Sequence, residues 1–457
     1  MATVTRRIGL SLGADLCWPI CYEELVRRLD LKLKLGCDTV AFEVERVTIE
    51  PFDLRQPCRF DLVVDRLTHW YATSREWIKK AILMDDLYVF NNPWSIQSME
   101  KHTSYCAMMR LGLPIPDTWL VPPKEYEPAT DLQPTLERYA RLFDLGAIGA
   151  ALGYPVFMKP YDGGGWTGVS RIDDETMLRA AYERSGKHVM HVQHAVEPYD
   201  RFVRCIGFGP QTRLIRYDPQ APLHDRYTMD TEFVGDDEAR LLEDMTLTIN
   251  TFFGWDFNSC EALRRDGTWY PIDFANACPD SQVTSLHYHF PWLVQANLRW
   301  SLFCAGTKRP MRKTLDWAPF EAIAREEMPY RERIAAYADV ARKRLDAERF
   351  EAFCAKHLPH LDEVVGEFFA TDTARDAVRV KVAALFPAHE VDAFTELFWS
   401  RIQKWRDDSA AKRSGGVAES KPVAVTAADG SMGEATGAAT VKAGVGGGRR
   451  TGTRRNP

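Results

Sequence analysis

The sequence predicts an α/β protein of two to three packed units, and three stretches predict it. Residues 1–92 alternate strand-like and helix-like segments, the pattern of a small α/β unit. The stretch FMKPYDGGGWTGV, residues 157–169, sets an apolar strand carrying Lys159 directly before a glycine-rich loop. Residues 257–274 read as a hairpin turning at Asp266-Gly267, and the stretch NSCEALRRDGTWYPIDFAN, residues 258–276, sets an acid on each side of that turn. A chain of 457 residues is too long for one small core.

In chain order, residues 21–36 and 74–84 are expected to be helical, and FDLVVD (60–65) and LYVF (87–90) to be short buried strands. Residues 95–111 read as a helix stopped by Gly112, with Pro114 just beyond. The proline-punctuated PIPDTWLVPP, residues 114–123, is a crossing, and 131–152 is expected to be helical. A strand ending at Lys159 follows, then a helix over 172–185 and a strand over 188–193. Residues 201–208 and 211–217 read as two strands joined at Gly209-Pro210, and 236–253 as a helix. The aromatic run from Trp292 to Trp300 reads as packing, not as a nucleic-acid platform. From 315 to 406 the pattern is helical. From 409 the chain turns to Ala, Gly, Ser and Thr, a composition that cannot bury a core and is expected to be disordered. The arginines at 449, 450, 454 and 455 make that end a solvated basic tail.

A net charge of −6 gives no global argument for nucleic acid or a membrane surface, and no run approaches the length of a membrane span. The ten cysteines include no C-x-x-C and read as reduced thiols. A cytoplasmic protein is expected.

A lysine at a strand end beside a flexible glycine loop is suited to ATP phosphates: the ammonium offsets charge, and glycines let N–H groups approach. Gly-Lys-Ser/Thr is absent, so this is not a P-loop. Glu261 and Asp273 flank the hairpin turn, and two carboxylates facing one cavity can hold Mg²⁺. A two-residue turn would set them on opposite faces of the sheet. A three-residue loop over 265–267, pairing 264 with 268, would bring them to one face as diagonal neighbours about 7–8 Å apart. Metal chemistry therefore predicts the three-residue loop. Asn276 is a further metal ligand or a turn residue. In QHAVEPYD, residues 193–200, a strand end and polar turn can present backbone groups to an adenine edge. Gln193 fits that place, and Asp200, with Glu197 as competitor, can take ribose hydroxyls. His287 and His289, in HYHF, have no third ligand nearby and read as loop or core residues. The histidines at 188, 191 and 194 scatter over both faces of a strand and are assigned no metal.

Together these pieces resemble the ATP-grasp superfamily, the glutathione-synthetase-type ATP-binding fold, over roughly residues 85–305 and in the family's order. The resemblance implies a two-lobed ATP-grasp domain over 93–312 with a lid subdomain at about 155–200. An α/β domain at 1–92 would precede it, and a helical segment at 313–408 and the disordered tail at 409–457 would follow. It casts Lys101 and Lys159 as phosphate lysines and Gly163, Gly164 and Gly165 as the lid loop. Gln193 and Val196 become the adenine hinge and Asp200 the ribose acid. Glu261 and Asp273 become the metal carboxylates. The family often has Glu-x-Asn at the second metal site. Here Asp273 and Asn276 stand three apart, so Asp280 competes with Asn276 as third ligand.

Most such proteins are carboxylate–amine ligases that form an acyl phosphate and ADP. The resemblance thus implies ATP, Mg²⁺ (or Mn²⁺), small carboxylate and amine substrates, and a homodimer. An arginine should orient the carboxylate, because its fork suits bidentate binding; Arg216 and Arg204 are the candidates, with ordinary ion pairing as the alternative role.

Overall fold

The computed structural model describes residues 3–68, 71–95, 100–162, 167–276 and 278–415. The first sheet contains β1 (Thr3–Ser11), β2 (Lys32–Leu35), β3 (Asp38–Arg46), β4 (Leu62–Asp65) and β5 (Tyr88–Phe90), in the order β2-β3-β1-β4-β5. β1 runs parallel to β3 and β4, and β5 parallel to β4, while β2 is antiparallel to β3. The helices Cys17–Leu29 and Ala72–Asp85 make the crossovers.

The helix expected over 21–36 is corrected here. It runs from Cys17 to Leu29 and stops where Asp30 takes φ 35°, left-handed. The Lys-Leu-Lys-Leu that follows has period two, not 3.6, and forms β2, turning through Gly36 at φ 62°.

A second sheet contains β6 (Thr118–Val121), β7 (Val156–Pro160), β8 (Ser170–Ile172) and β9 (Met190–His194), in the order β6-β9-β7-β8, all antiparallel. One face carries Val121, Val156, Met158, Ile172, Met190 and Val192 into a core with the helices Leu145–Leu152 and Glu175–Arg184. Alternation turns Thr118, Phe157, Lys159, His191 and Gln193 to the other face. The single helix expected over 131–152 is two, Leu132–Tyr139 and Leu145–Leu152. The backbone is extended at Ala140, and the Asp144 carboxylate caps the second helix, accepting from Gly146 N at 2.9 Å and Ala147 N at 3.2 Å.

The third sheet contains β10 (Arg201–Phe208), β11 (Gln211–Arg216), β12 (Phe257–Arg265) and β13 (Thr268–Asp273), in the order β11-β10-β12-β13, again antiparallel. The helix Asp236–Phe253 lies under one face with Val203, Cys260, Ala262 and Trp269 in the shared core. The turn joining β10 to β11 needs its glycine: Gly209 has φ 55°, and a Cβ there would lie 2.4 Å from the fully buried Trp300 ring. Backbone strain and overpacking add, so Gly209→Ala should lower stability by about 2–4 kcal/mol in urea unfolding. A change under about 0.5 kcal/mol would show that the ring can yield.

Downstream, the helix Phe290–Gly306 holds the aromatic run and is almost wholly buried. The helices beyond it share the earlier cores. Phe350, Phe353, Val365 and Phe368 pack with the first sheet, and Phe320, Ile334 and Tyr337 with the third. One compact unit therefore extends through Ala410. The last helix, Val391–Gly415, passes the composition shift at 409; residues 416–457, most of the expected tail, lie outside the described residues. Among the described residues no helix is long and apolar enough to cross a membrane.

Candidate functional site

Lys159 and Lys101 reach the site from different elements. Lys159 stands near the end of β7 and is 7% exposed; its Nζ donates to Gln193 Oε1 at 2.8 Å and to the Ile272 carbonyl at 3.2 Å. It also lies 5.2 Å from the centre of the Tyr105 ring. Burial, with Lys101 nearby, holds its ammonium down at about 8, although Asp273 and Glu261 oppose that shift. Lys101 opens the helix Lys101–Arg110 rather than lying inside a helix from 95, because Glu100 before it is extended. Its backbone N–H donates to the Tyr161 carbonyl at 2.9 Å, fixing the helix start against the end of β7. Its Nζ lies 3.3 Å from Asp273 Oδ2.

The two carboxylates share a face, but not by the expected route. Arg265 pairs with Thr268, so the loop has two residues, Asp266 and Gly267, at φ 51° and 75°. That register alone would set Glu261 opposite Ile272. A β-bulge between Glu261 and Ala262 makes Ile272 the extra residue and puts Asp273 directly opposite Glu261. The bulge also frees the Ile272 carbonyl, which accepts from Lys159 Nζ and, at 2.6 Å, from Tyr105 Oη. One inserted residue thus aims an acid and docks a lysine. Burial and the neighbouring Asp273 push the Glu261 carboxyl up to about 7, against the pull of Arg204, Lys101 and Lys159. Two carboxylates directly opposite each other on one sheet face supply oxygen ligands of the kind a divalent cation prefers.

Of the two arginines, Arg204 faces the carboxylates. It pairs directly across from Glu261 on β10, is 3% exposed, and donates from Nη2 to Ser259 Oγ at 3.0 Å. The Tyr227 ring lies 5.1 Å from its guanidinium. Arg216 pairs with Val203, one residue out of phase, so it lies on the opposite face of the sheet, exposed, with Asp230 at 3.6 Å. The structure brings Arg204 to the site and not Arg216.

Beside Lys159, Gln193 sits in the interior strand β9 between Thr118 and Phe157. Its side chain bridges the strands, donating to Thr118 Oγ1 at 2.7 Å while accepting from Lys159. Ala195 N donates to the Pro155 carbonyl and Glu197 N to that of Ala195, leaving buried Val196 at the tip of the turn. Both ribose candidates are ion-paired: Asp200 with Arg264 at 2.5 Å and Glu197 with Arg171 at 2.7 Å. Asp280 accepts from Gln282 N at 3.0 Å and Ser285 Oγ at 2.6 Å, just before a short helical turn. Asn276 follows Asp273 closely, its N–H held by Asn258 Oδ1 at 3.2 Å. Gly163, Gly164 and Gly165 lie outside the described residues.

Sequence reasoning missed Tyr105 and Asn258, and weighed His191 only as a metal ligand. Tyr105 stands one helical turn after Lys101, a spacing that carried its signal. Asn258 is wholly buried and clamps the segment after Asp273 through the Phe274 carbonyl, at 2.8 Å. His191 pairs with Lys159 across the strands and stacks on His102 at 5.7 Å; burial first, then the adjacent cations, keep it neutral at about 3. His287 and His289 are buried and bound to the carbonyls of His224 and Thr228 at 3.0 and 2.8 Å.

No family model matches the chain. Over 101 residues it is 34% identical to D-alanine–D-alanine ligase A of Chromobacterium violaceum, a stretch covering 21% of this chain. The chain spans 27% of the length of that curated relative. The geometry itself gives two four-stranded antiparallel sheets that meet through Lys159 and Ile272, around two lysines and paired acids. Solved structures to which the chain is similar include a D-alanine–D-alanine ligase from Bacillus anthracis complexed with ATP, at 15% identity and TM-score 0.43, covering 66% of this chain and 99% of that one. A RimK domain ATP-grasp protein from Sphaerobacter thermophilus matches at 15% identity and TM-score 0.42, covering 60% of this chain and 92% of that one.

Proposed function

We propose that this chain is an ATP- and Mg²⁺-dependent ligase that activates a small carboxylate and joins it to an amine. The observation that carries this reading is the convergence of Lys101, Lys159, Glu261 and Asp273 at the meeting of two sheets. Glu261 and Asp273, with Asn276 beside them, would hold Mg²⁺ (or Mn²⁺), which would supply charge neutralisation at the nucleotide's phosphates. Lys159 and Lys101 would take phosphate oxygens, and the Val196 turn would meet the adenine edge. Asp200 or Glu197 would take the ribose by giving up part of an arginine pair. Gly163, Gly164 and Gly165 would cover the phosphates and exclude water.

A substrate carboxylate oxygen attacks the γ-phosphorus and ADP leaves. The amine nitrogen then attacks the acyl carbon, phosphate departs, and the nitrogen loses a proton. Arg204 suits the developing negative charge, since its guanidinium lies on the carboxylate face and its Nε has no partner among the described residues. The similarity to a D-alanine–D-alanine ligase supports ligation as the reaction class. A small-molecule substrate pair, with no nucleic acid or membrane partner, follows from that reading.

The test is ADP formation with Mg-ATP, pooled small carboxylates and hydroxylamine. Hydroxylamine captures an acyl phosphate as a hydroxamate identifiable by mass. Carboxylate-dependent ADP with a hydroxamate is the expected result. A stable phospho-product would instead mean transfer to a non-carboxylate acceptor. ATP binding by thermal shift without turnover across the pool would favour a regulatory ATP-binding protein.

A further inference from the structure

We infer that a cavity with no wall from the site residues above binds a small phosphate-type anion. It lies where the end of β5, the end of the helix Asp236–Phe253, residues 309–312 and the end of the helix Tyr330–Arg344 meet, and measures about 360 Å³. Tyr88, Trp255, Arg309, Arg312, Lys343 and Arg344 are among its walls.

Charge decides the ligand. Four cations line the cavity against two carboxylates, Asp256 and Asp346. Asp346 is spent on Arg309. Asp256 is 6% exposed and accepts from Trp300 Nε1 at 2.9 Å and Tyr88 Oη at 3.0 Å. Arg344 pairs outward with Asp316 at 3.2 Å. Arg312 and Lys343 are left exposed at the cavity with no carboxylate in ion-pair range among the described residues. Burial and the nearby Arg312 both hold the Arg344 guanidinium below its usual value, a sign of like charges held together. Cations in such a concave wall focus potential on an anion. Guanidinium forks and an ammonium arriving from separate elements suit a tetrahedral, multiply charged group better than a planar carboxylate.

The wall is also tied to the metal-carboxylate strand. Asn91, just past β5, donates from Nδ2 to the Phe257 carbonyl at 2.7 Å and accepts from Phe257 N at 2.8 Å, and Phe257 begins β12. An occupant would therefore brace the strand that carries Glu261.

The probe is inorganic pyrophosphate, titrated calorimetrically without divalent metal into the full chain. Lys159→Ala separates the nucleotide site, and the exposed pair Arg312→Ala/Lys343→Ala separates the cavity. Binding should stay within about threefold of the parent in Lys159→Ala, and weaken at least tenfold in the double variant at unchanged melting temperature. If the double variant melts early, Arg312→Gln/Lys343→Gln repeats the measurement. Loss in Lys159→Ala with retention in the cavity variants would overturn the inference, as would no binding by the parent at about 10 mM pyrophosphate.

Discussion

Lys159→Ala should weaken ATP binding about a hundredfold or more while the protein stays folded. The ammonium is buried at the end of β7 and already positioned by Gln193 Oε1 and the Ile272 carbonyl, so little ordering cost remains when a phosphate arrives. Removing one partner of a desolvated charge contact costs about 2–5 kcal/mol, hence the size of the effect. Lys159→Met keeps the apolar stem and loses only the charge, and it should behave alike. Nucleotide titration by calorimetry, with the melting temperature of the free protein as control, checks both. An ATP affinity within threefold of the parent in either variant would remove Lys159 from the phosphate site.

Asp273→Asn should reduce turnover by about two to three orders of magnitude and ATP affinity by less than tenfold. The change is isosteric, so the bulge and the pairing with Glu261 persist. What is lost is one of two anionic oxygen donors, together with the countercharge that Lys101 Nζ meets at 3.3 Å. Glu261 alone would then hold the cation: the lysines would still admit nucleotide, while neutralisation of the charge developing at the γ-phosphoryl would be weakened. Comparing carboxylate-dependent ADP formation with ATP affinity separates the two effects. Equal losses in both would make Asp273 a ground-state binding residue only, and turnover within threefold of the parent would sink its assignment as a metal ligand.

Much of this arrangement was legible because it rests on local rules. The strands 201–208 and 211–216 and the helix Asp236–Phe253 sit almost where apolar pattern and turn residues put them. Where the expectation failed, a local signal had been overruled or misread. KLKL has a strand period inside what looked like one helix, and Asp144 is a cap inside another. The hairpin is the instructive case. The chemistry demanded that Glu261 and Asp273 share a face, and they do, but the loop was given credit that belongs to a bulge four residues away from it. A bulge leaves no reliable mark in a single sequence, since any extended residue can be the unpaired one. Likewise, Arg204 and Arg216 look equivalent as strand arginines; only the pairing Arg204–Glu261 against Arg216–Val203 sets them on opposite faces.

By itself, then, the sequence determined the chemical inventory and its order: two lysines, a glycine loop, a hinge turn and two acids on one hairpin. It did so because residue type fixes charge and donor chemistry, and short-range periodicity fixes local elements. Only the tertiary structure decided which of these groups meet. Strand register, the Ile272 bulge and the approach of Lys101 to Asp273 depend on contacts between residues from about ten to more than 170 positions apart, and no local period encodes them.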